Sequence, residues 1–167
     1  PLTPEQTYDY AFSLLMKLEG YKSNDPDDAG RRTIFGISET YHPELVEQLW
    51  NLPELEALPL AKEFYYDEYF EMARLNIPKE YRENPLLQIV FFCLAVNPGI
   101  TYAKAWGEML DVHDTRGNIE NLLWTCAQHY LKRSKVKGNI KFLRGWINRL
   151  ISIRDFLNFF MVQGLWT

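Results

Sequence analysis

The chain has 167 residues, 47% hydrophobic and 24% charged, a length that suits one domain whose core holds without cross-links. Nine Gly and nine Pro are too few for a collagenous or low-complexity chain, and two cysteines are too few for a disulfide framework. The net charge of −4 is unevenly spread: residues 1–130 carry 10 basic against 21 acidic side chains, and residues 131–167 carry 8 against 1.

Thr3-Pro4-Glu5-Gln6 has the form of a capping box with Pro at the first helical position. Tyr8, Ala11, Phe12, Leu15 and Leu18 then recur at three- and four-residue spacing. This predicts a helix with one buried face that ends near Glu19-Gly20. Residues 23–30 are dense in turn formers, and Thr33-Ile34-Phe35-Gly36-Ile37 has the β-branched and aromatic content of a short strand. Short helices punctuated by Pro43, Pro53 and Pro59 follow, and then a longer one from about Leu60 to Leu75. Pro78 and Pro85 bracket a connection. The run Leu86 to Val96 is apolar nearly all round, which predicts the central buried helix, stopped by Asn97-Pro98-Gly99. Helices over 101–111, 118–134 and 139–160 complete the chain, with Gly117 and Gly138 as punctuation. The expected fold class is mainly α, a single domain over residues 1–167 with a small β element near residues 31–38.

The longest uncharged apolar stretch, Ile89 to Val96, falls well short of the ~20 residues of a membrane helix, so no membrane span is expected. No basic region precedes an apolar one, so no signal peptide is expected either. The basic run Lys132-Arg133-Ser134-Lys135-Val136-Lys137 reads most simply as a solvated helix face balanced against the acidic remainder; its alternative is contact with an anionic polymer. Nucleic acid is a poor partner for a chain of net negative charge. His42, His113 and His129 are far apart in sequence and form no metal-ligand pattern, and no Gly-rich phosphate loop follows a strand. Cys93 and Cys126 lie in apolar stretches and read as buried thiols rather than nucleophiles. No metal or cofactor is expected.

What remains is a set of carboxylates. Glu19 falls where the first helix ends, Asp25, Asp27 and Asp28 lie on the loop after it, and Thr33 opens the strand. Glycoside hydrolysis needs one carboxylic acid to protonate the leaving oxygen and a second group to activate water or attack the sugar. A helix-end Glu followed by an Asp-rich loop offers both. The plain alternative is a solvated helix-end Glu and aspartates that cap turns. Among the aromatics, Tyr21, Phe35, Tyr65, Tyr66 and Tyr69 are candidates to line a cleft, whereas Phe64, Phe91, Phe92 and Trp124 are expected in the core.

The string Glu19-Gly20-Tyr21-Lys22-Ser23-Asn24-Asp25-Pro26-Asp27-Asp28-Ala29-Gly30, continued by Thr33-Ile34-Phe35-Gly36-Ile37-Ser38, resembles the signature of glycoside hydrolase family 108. Three further segments resemble that family in the same order: Ala61 to Phe70, Ala95-Val96-Asn97-Pro98-Gly99, and Gly145-Trp146-Ile147-Asn148-Arg149. Tyr21 stands where the family has a second Gly, Arg31 replaces one Gly of a later pair, and Cys93 and Pro98 depart from its Asp and Ser. The resemblance implies a lysozyme-like fold with a catalytic half over 1–80 and a peptidoglycan-binding helical half over 85–167. It implies an N-acetylmuramidase acting on peptidoglycan glycan strands, with Glu19 as general acid and Asp28, helped by Thr33, placing water. An inverting course is expected, for which the carboxyl groups stand about 6.5–9.5 Å apart rather than the ~5 Å of a retaining enzyme. Tyr21, Asp25, Phe35, Tyr65, Tyr69 and Asn97 are the expected substrate contacts, and the apolar face of the first helix with Phe35 is the expected surrounding of Glu19. The implied place of action is the bacterial cell wall, reached after synthesis in the cytoplasm. The alternative is a non-catalytic wall-binding or secretion-accessory protein that kept the fold.

Overall fold

The computed structural model describes residues 2–26, 31–111 and 114–164. Helix α1 spans Pro4–Glu19 and opens as expected: the Gln6 N–H donates to Thr3 Oγ1 at 3.2 Å, and the Thr3 N–H donates to Gln6 Oε1 at 3.0 Å. Tyr8, Ala11, Phe12 and Leu15 of the predicted stripe are buried, joined by Leu14, while Leu18 near the helix end is half-buried. Gly20, at φ 72°, ends it by turning the chain where a Cβ would be strained. Glu19 is therefore fixed at the last position of a rigid, half-buried helix.

A three-stranded antiparallel sheet follows: β1 Lys22–Asn24, β2 Arg32–Ile34 and β3 Ile37–Ser38. Two expectations change here. The single strand over 33–37 is folded back on itself, because Phe35 and Gly36 both take positive φ (51° and 82°) and form a tight hairpin turn. The segment expected as turn throughout begins with β1, whose Ser23 pairs with Thr33. Arg32 anchors the sheet to the next helix through Glu39 at 2.7 Å and Glu47 at 2.6 Å, its guanidinium 5.3 Å from the Trp50 ring centre.

Helices α2 (Pro43–Trp50) and α3 (Glu54–Tyr65) come next, with Pro59 inside α3 rather than ending a helix. The helix expected to run on to Leu75 is interrupted by a π-helical turn over Tyr66–Phe70 before α4 (Glu71–Asn76). A wider turn of this kind re-aims the side chains on either side of it and often marks a functional wall. It leaves Tyr65 and Phe70 buried while Tyr69 stays half-buried.

Helix α5 (Pro85–Leu94) is the predicted central helix: all ten of its residues are buried, and Asn84 caps it by accepting from the Leu86 and Leu87 N–H groups. The chain breaks at Asn97 (φ −153°, ψ 117°) and resumes as α6 (Ile100–Gly107). By length and composition alone the stretch Pro85–Gly107 is long and apolar enough to cross a membrane, with a mean hydropathy of 1.6 over its most apolar window. Most of it is buried inside the protein, as the core helix of a globular domain is.

Helices α7 (Thr115–Ser134) and α8 (Leu143–Val162) close the fold, joined on the surface by Arg154 and Glu120 at 3.0 Å. Gly117 is inside α7, not a boundary, because its N–H binds the capping Asp114 at 2.8 Å and a Cβ there would lie 2.2 Å from Asp114 Oδ2. Phe91 and Phe92 are fully buried as expected and Phe64 is half-buried. Trp124 is not in the core: it is 65% exposed and borders an apolar cavity of about 250 Å³ between α7 and α8. The architecture is the mainly α, lysozyme-like domain that was expected.

Candidate active site

Glu19 reaches from the end of α1 toward the hairpin turn and α8. Its Oε1 accepts from Arg149 Nη1 at 2.5 Å, while the side chains are 19% and 8% exposed respectively. Arg149 also donates from Nη2 to the Cys93 carbonyl at 3.4 Å, which ties it to the core helix α5. Burial disfavours the arginine's charge, but the carboxylate of Glu19 outweighs it and holds the guanidinium pKa above its ordinary value. The expected apolar surrounding of Glu19 is thus replaced by an ion pair, because α8 folds back across the end of α1. Arg149 belongs to the Gly145-Trp146-Ile147-Asn148-Arg149 segment noted in the sequence. Sequence reasoning gave it no role, since 130 residues separate it from Glu19.

The other carboxylate oxygen faces the hairpin. A Cβ built at Gly36 would lie 2.7 Å from Glu19 Cγ, 2.8 Å from its Oε2 and 2.8 Å from the Tyr65 hydroxyl. Only a glycine leaves this room, and at φ 82° only a glycine takes the backbone without strain. The Tyr65 hydroxyl donates to the Phe35 carbonyl at 2.8 Å and so clamps the turn onto α3. Burial, followed by the charge of Glu19, pushes the Tyr65 hydroxyl pKa well above the ordinary range, so it stays a neutral donor.

Next to this arrangement is a cavity of about 540 Å³, walled by Gly36, Ser38, Phe64, Tyr65, Tyr69 and Val96 among others. A second cavity of about 480 Å³ continues from it along α2, sharing Tyr41, His42 and Phe64. Together they form a long groove with aromatic walls and a few polar groups, a shape suited to a chain-like ligand. His42 packs edge-on against Phe64 with ring centres 4.8 Å apart, and Tyr41 is 78% exposed at the rim. Neither was expected as a contact, since the turn that places them before α2 follows from the hairpin register.

The expected substrate contacts divide. Tyr65 and Tyr69 line the groove. Burial, then Glu68 and Glu19, raise the pKa of the Tyr69 hydroxyl, so it too stays protonated. Phe35 does not present a ring to the groove, because it is only 3% exposed and packs on Tyr21 with centroids 5.1 Å apart. Tyr21 is half-buried in that contact and has Lys22 Nζ 5.2 Å over its ring. Asn97 is held away from the groove by Tyr130, whose hydroxyl donates to Asn97 Oδ1 at 2.9 Å, although its neighbour Val96 is a groove wall. Thr33 lies on β2 opposite Ser38, and cross-strand partners share a face, which puts Thr33 on the side where Ser38 lines the groove. Asp25 is exposed just beyond β1. Asp28, like Asp27, lies outside the described residues.

Among the described residues no group of histidine, cysteine or carboxylate side chains is arranged to hold a metal ion. Burial pushes the thiols of Cys93 and Cys126 up to about 12, which keeps both protonated and unreactive at neutral pH.

No curated protein and no solved structure matches the chain. The model of one protein family, Glycosyl hydrolase 108, does match it over residues 12–99, which takes in the second half of α1 with Glu19, the hairpin with Gly36, α3 with Tyr65, and the α5 core up to Gly99. A match over more than half of the chain, centred on these elements, establishes that the protein is a glycoside hydrolase belonging to the Glycosyl hydrolase 108 family.

Proposed function

We propose that the protein is a peptidoglycan hydrolase of the N-acetylmuramidase type, cutting between N-acetylmuramic acid and N-acetylglucosamine with Glu19 as general acid. The observation that carries this reading is the unequal setting of the two Glu19 oxygens: Oε1 is committed to Arg149, and Oε2 sits beside Gly36, a residue that walls the groove. A general acid must present its proton to the leaving oxygen at hydrogen-bond distance. Oε2 is the atom free to do so, with Arg149 fixing the rotamer. Tyr65 and Gly36 keep the approach open and the backbone rigid, and the groove's aromatic walls offer faces to sugar rings while Ser38 and the tyrosine hydroxyls offer hydrogen bonds.

In this reading Asp28 places the attacking water, and Thr33 assists from the Ser38 face of the sheet. Residues 1–80 supply the reacting groups and residues 85–167 the wall-binding surface, with Arg149 of the second part bound to the acid. The protein would act at the bacterial cell wall.

The test is digestion of purified, outer-membrane-stripped cell walls followed by mass spectrometry. The expected products carry reducing-end N-acetylmuramic acid. Reducing-end N-acetylglucosamine would make it a glucosaminidase, freed peptides would make it an amidase, and wall binding without any new reducing ends would favour the non-catalytic reading.

A further inference from the structure

We propose that the α6–α7 face holds a second ligand site, a pocket that takes a carboxylate-bearing peptide attached to the glycan. This rests on the peptidoglycan reading above, since such a peptide is the substituent that a wall glycan carries. The pocket is a cavity of about 430 Å³ lined by Tyr102, His129, Lys132, Arg133 and Val136. Its volume lies in the range of a small-ligand site, and it opens to the surface between Tyr102, Lys132, Arg133 and Val136.

Its charge is positive and uncompensated. Arg32, Lys62, Arg74, Arg149 and Arg154 each have a carboxylate partner. Among the described residues Lys132 and Arg133 have none, nor do Lys135, Lys137, Lys141 and Arg144. The pocket is nevertheless built rather than merely charged. Arg133 is held over the Trp146 ring at 5.3 Å, Trp146 stacks on Tyr130 at 5.1 Å, and Tyr130 is fixed through its hydroxyl to Asn97. Tyr102 and His129 stack with ring centres 4.2 Å apart, and His129 Nε2 is buried with no hydrogen-bond partner.

Burial, then Arg133 and Lys132, push the His129 imidazole below its ordinary pKa, so the ring is neutral at neutral pH and the two flanking cations set the charge. The lining thus combines two cations with Val136 and a tyrosine face. That combination suits a carboxylate next to a short aliphatic side chain, which is the chemistry of an acidic peptide. A short chain of contacts links the pocket to the groove: Val96 walls the groove, its neighbour Asn97 is bound by Tyr130, and Tyr130 adjoins His129 on α7.

The experiment is titration calorimetry of the full chain at 0.15 M salt with three probes: an L-alanyl-γ-D-glutamyl-L-lysine tripeptide, the same tripeptide with its carboxylates amidated, and inorganic phosphate. The free-carboxylate tripeptide should bind at least tenfold more tightly than the amidated one. Lys132→Gln, and Lys132→Gln with Arg133→Gln, should weaken it tenfold or more. Lys135→Gln with Lys137→Gln removes the same charge outside the cavity and should leave binding within twofold. Lys132 is exposed, so its single variant folds even if the double variant does not. Equal binding of the two tripeptides, equal loss in both charge pairs, or tighter binding of phosphate than of the tripeptide would each overturn the proposal. These readouts do not depend on bond cleavage, so a failure of the hydrolase reading shows separately, as an absence of new reducing ends.

Discussion

Glu19→Gln should abolish hydrolysis and also lower stability. The amide keeps the shape of the acid but cannot deliver a proton, and loss of general acid help is typically worth 10²–10⁴-fold. The stability effect comes from Arg149, which is 8% exposed and has its charge balanced by Glu19 at 2.5 Å. Removing one partner of a buried pair costs roughly 3–5 kcal/mol. Here Glu19 retains 19% exposure and the glutamine oxygen still accepts from Nη1, so the charge is partly relieved. A loss of about 2 kcal/mol follows, which for a domain of this size is a fall in Tm of roughly 4–8 °C. Glu19→Gln combined with Arg149→Met removes both charges and should recover much of that loss, because the uncompensated buried cation is gone; activity should stay absent. The assay pairs thermal unfolding by circular dichroism with turbidity loss of purified walls at equal folded protein. A Glu19→Gln variant that lyses within twofold of the parent would end the catalytic assignment. A double variant no more stable than Glu19→Gln would show that the ion pair is not what couples α1 to α8.

Gly36→Ala should cost both stability and rate, since its Cβ would meet Glu19 and the Tyr65 hydroxyl at 2.7–2.8 Å with φ at 82°. A loss of roughly 1–3 kcal/mol and more than tenfold in rate is expected, and unchanged turnover would show that the hairpin does not position the acid. Tyr65→Phe removes the donor to the buried Phe35 carbonyl and should destabilise by about 1–2 kcal/mol in chemical denaturation. Hydrogen bonds from Arg32 hold the carboxyls of Glu39 and Glu47 below their ordinary pKa. The folded state therefore binds fewer protons there than the unfolded state, and the stability they contribute is present above about pH 4.5 and lost as pH falls through their folded values. Tm measured from pH 6 to pH 3 should fall less steeply for Arg32→Met than for the parent. Both thiols should resist a disulfide reagent in the native protein and titrate as two groups in denaturant, and a native reaction of either would contradict the burial that pushes them up to about 12.

What depends on near neighbours along the chain was legible before any packing was known. The Thr3/Gln6 cap, the 3.6-residue stripe of α1 and the all-apolar run that became α5 are local patterns whose physics acts within one or two turns, and each formed where it was read. The helix-end position of Glu19 was legible for the same reason. The hairpin was only half legible: its β-branched residues showed extended chain, but two successive positive φ values at Phe35 and Gly36 turned one strand into two. That turn moved the Phe35 ring into the core and left its carbonyl to Tyr65. Which groups meet across distance followed from how the helices pack. Arg149 reaches Glu19 because α8 packs back over α1, and no periodicity in either helix records a contact across 130 residues. Trp124 looked like core by size, yet α7 turns it outward, since which face of a helix is buried depends on what packs against it. The basic run near the end of α7 likewise gained meaning only from its neighbours: Lys132 and Arg133 line a cavity with Tyr102 and His129, whereas Lys135 and Lys137, two and four residues on, do not.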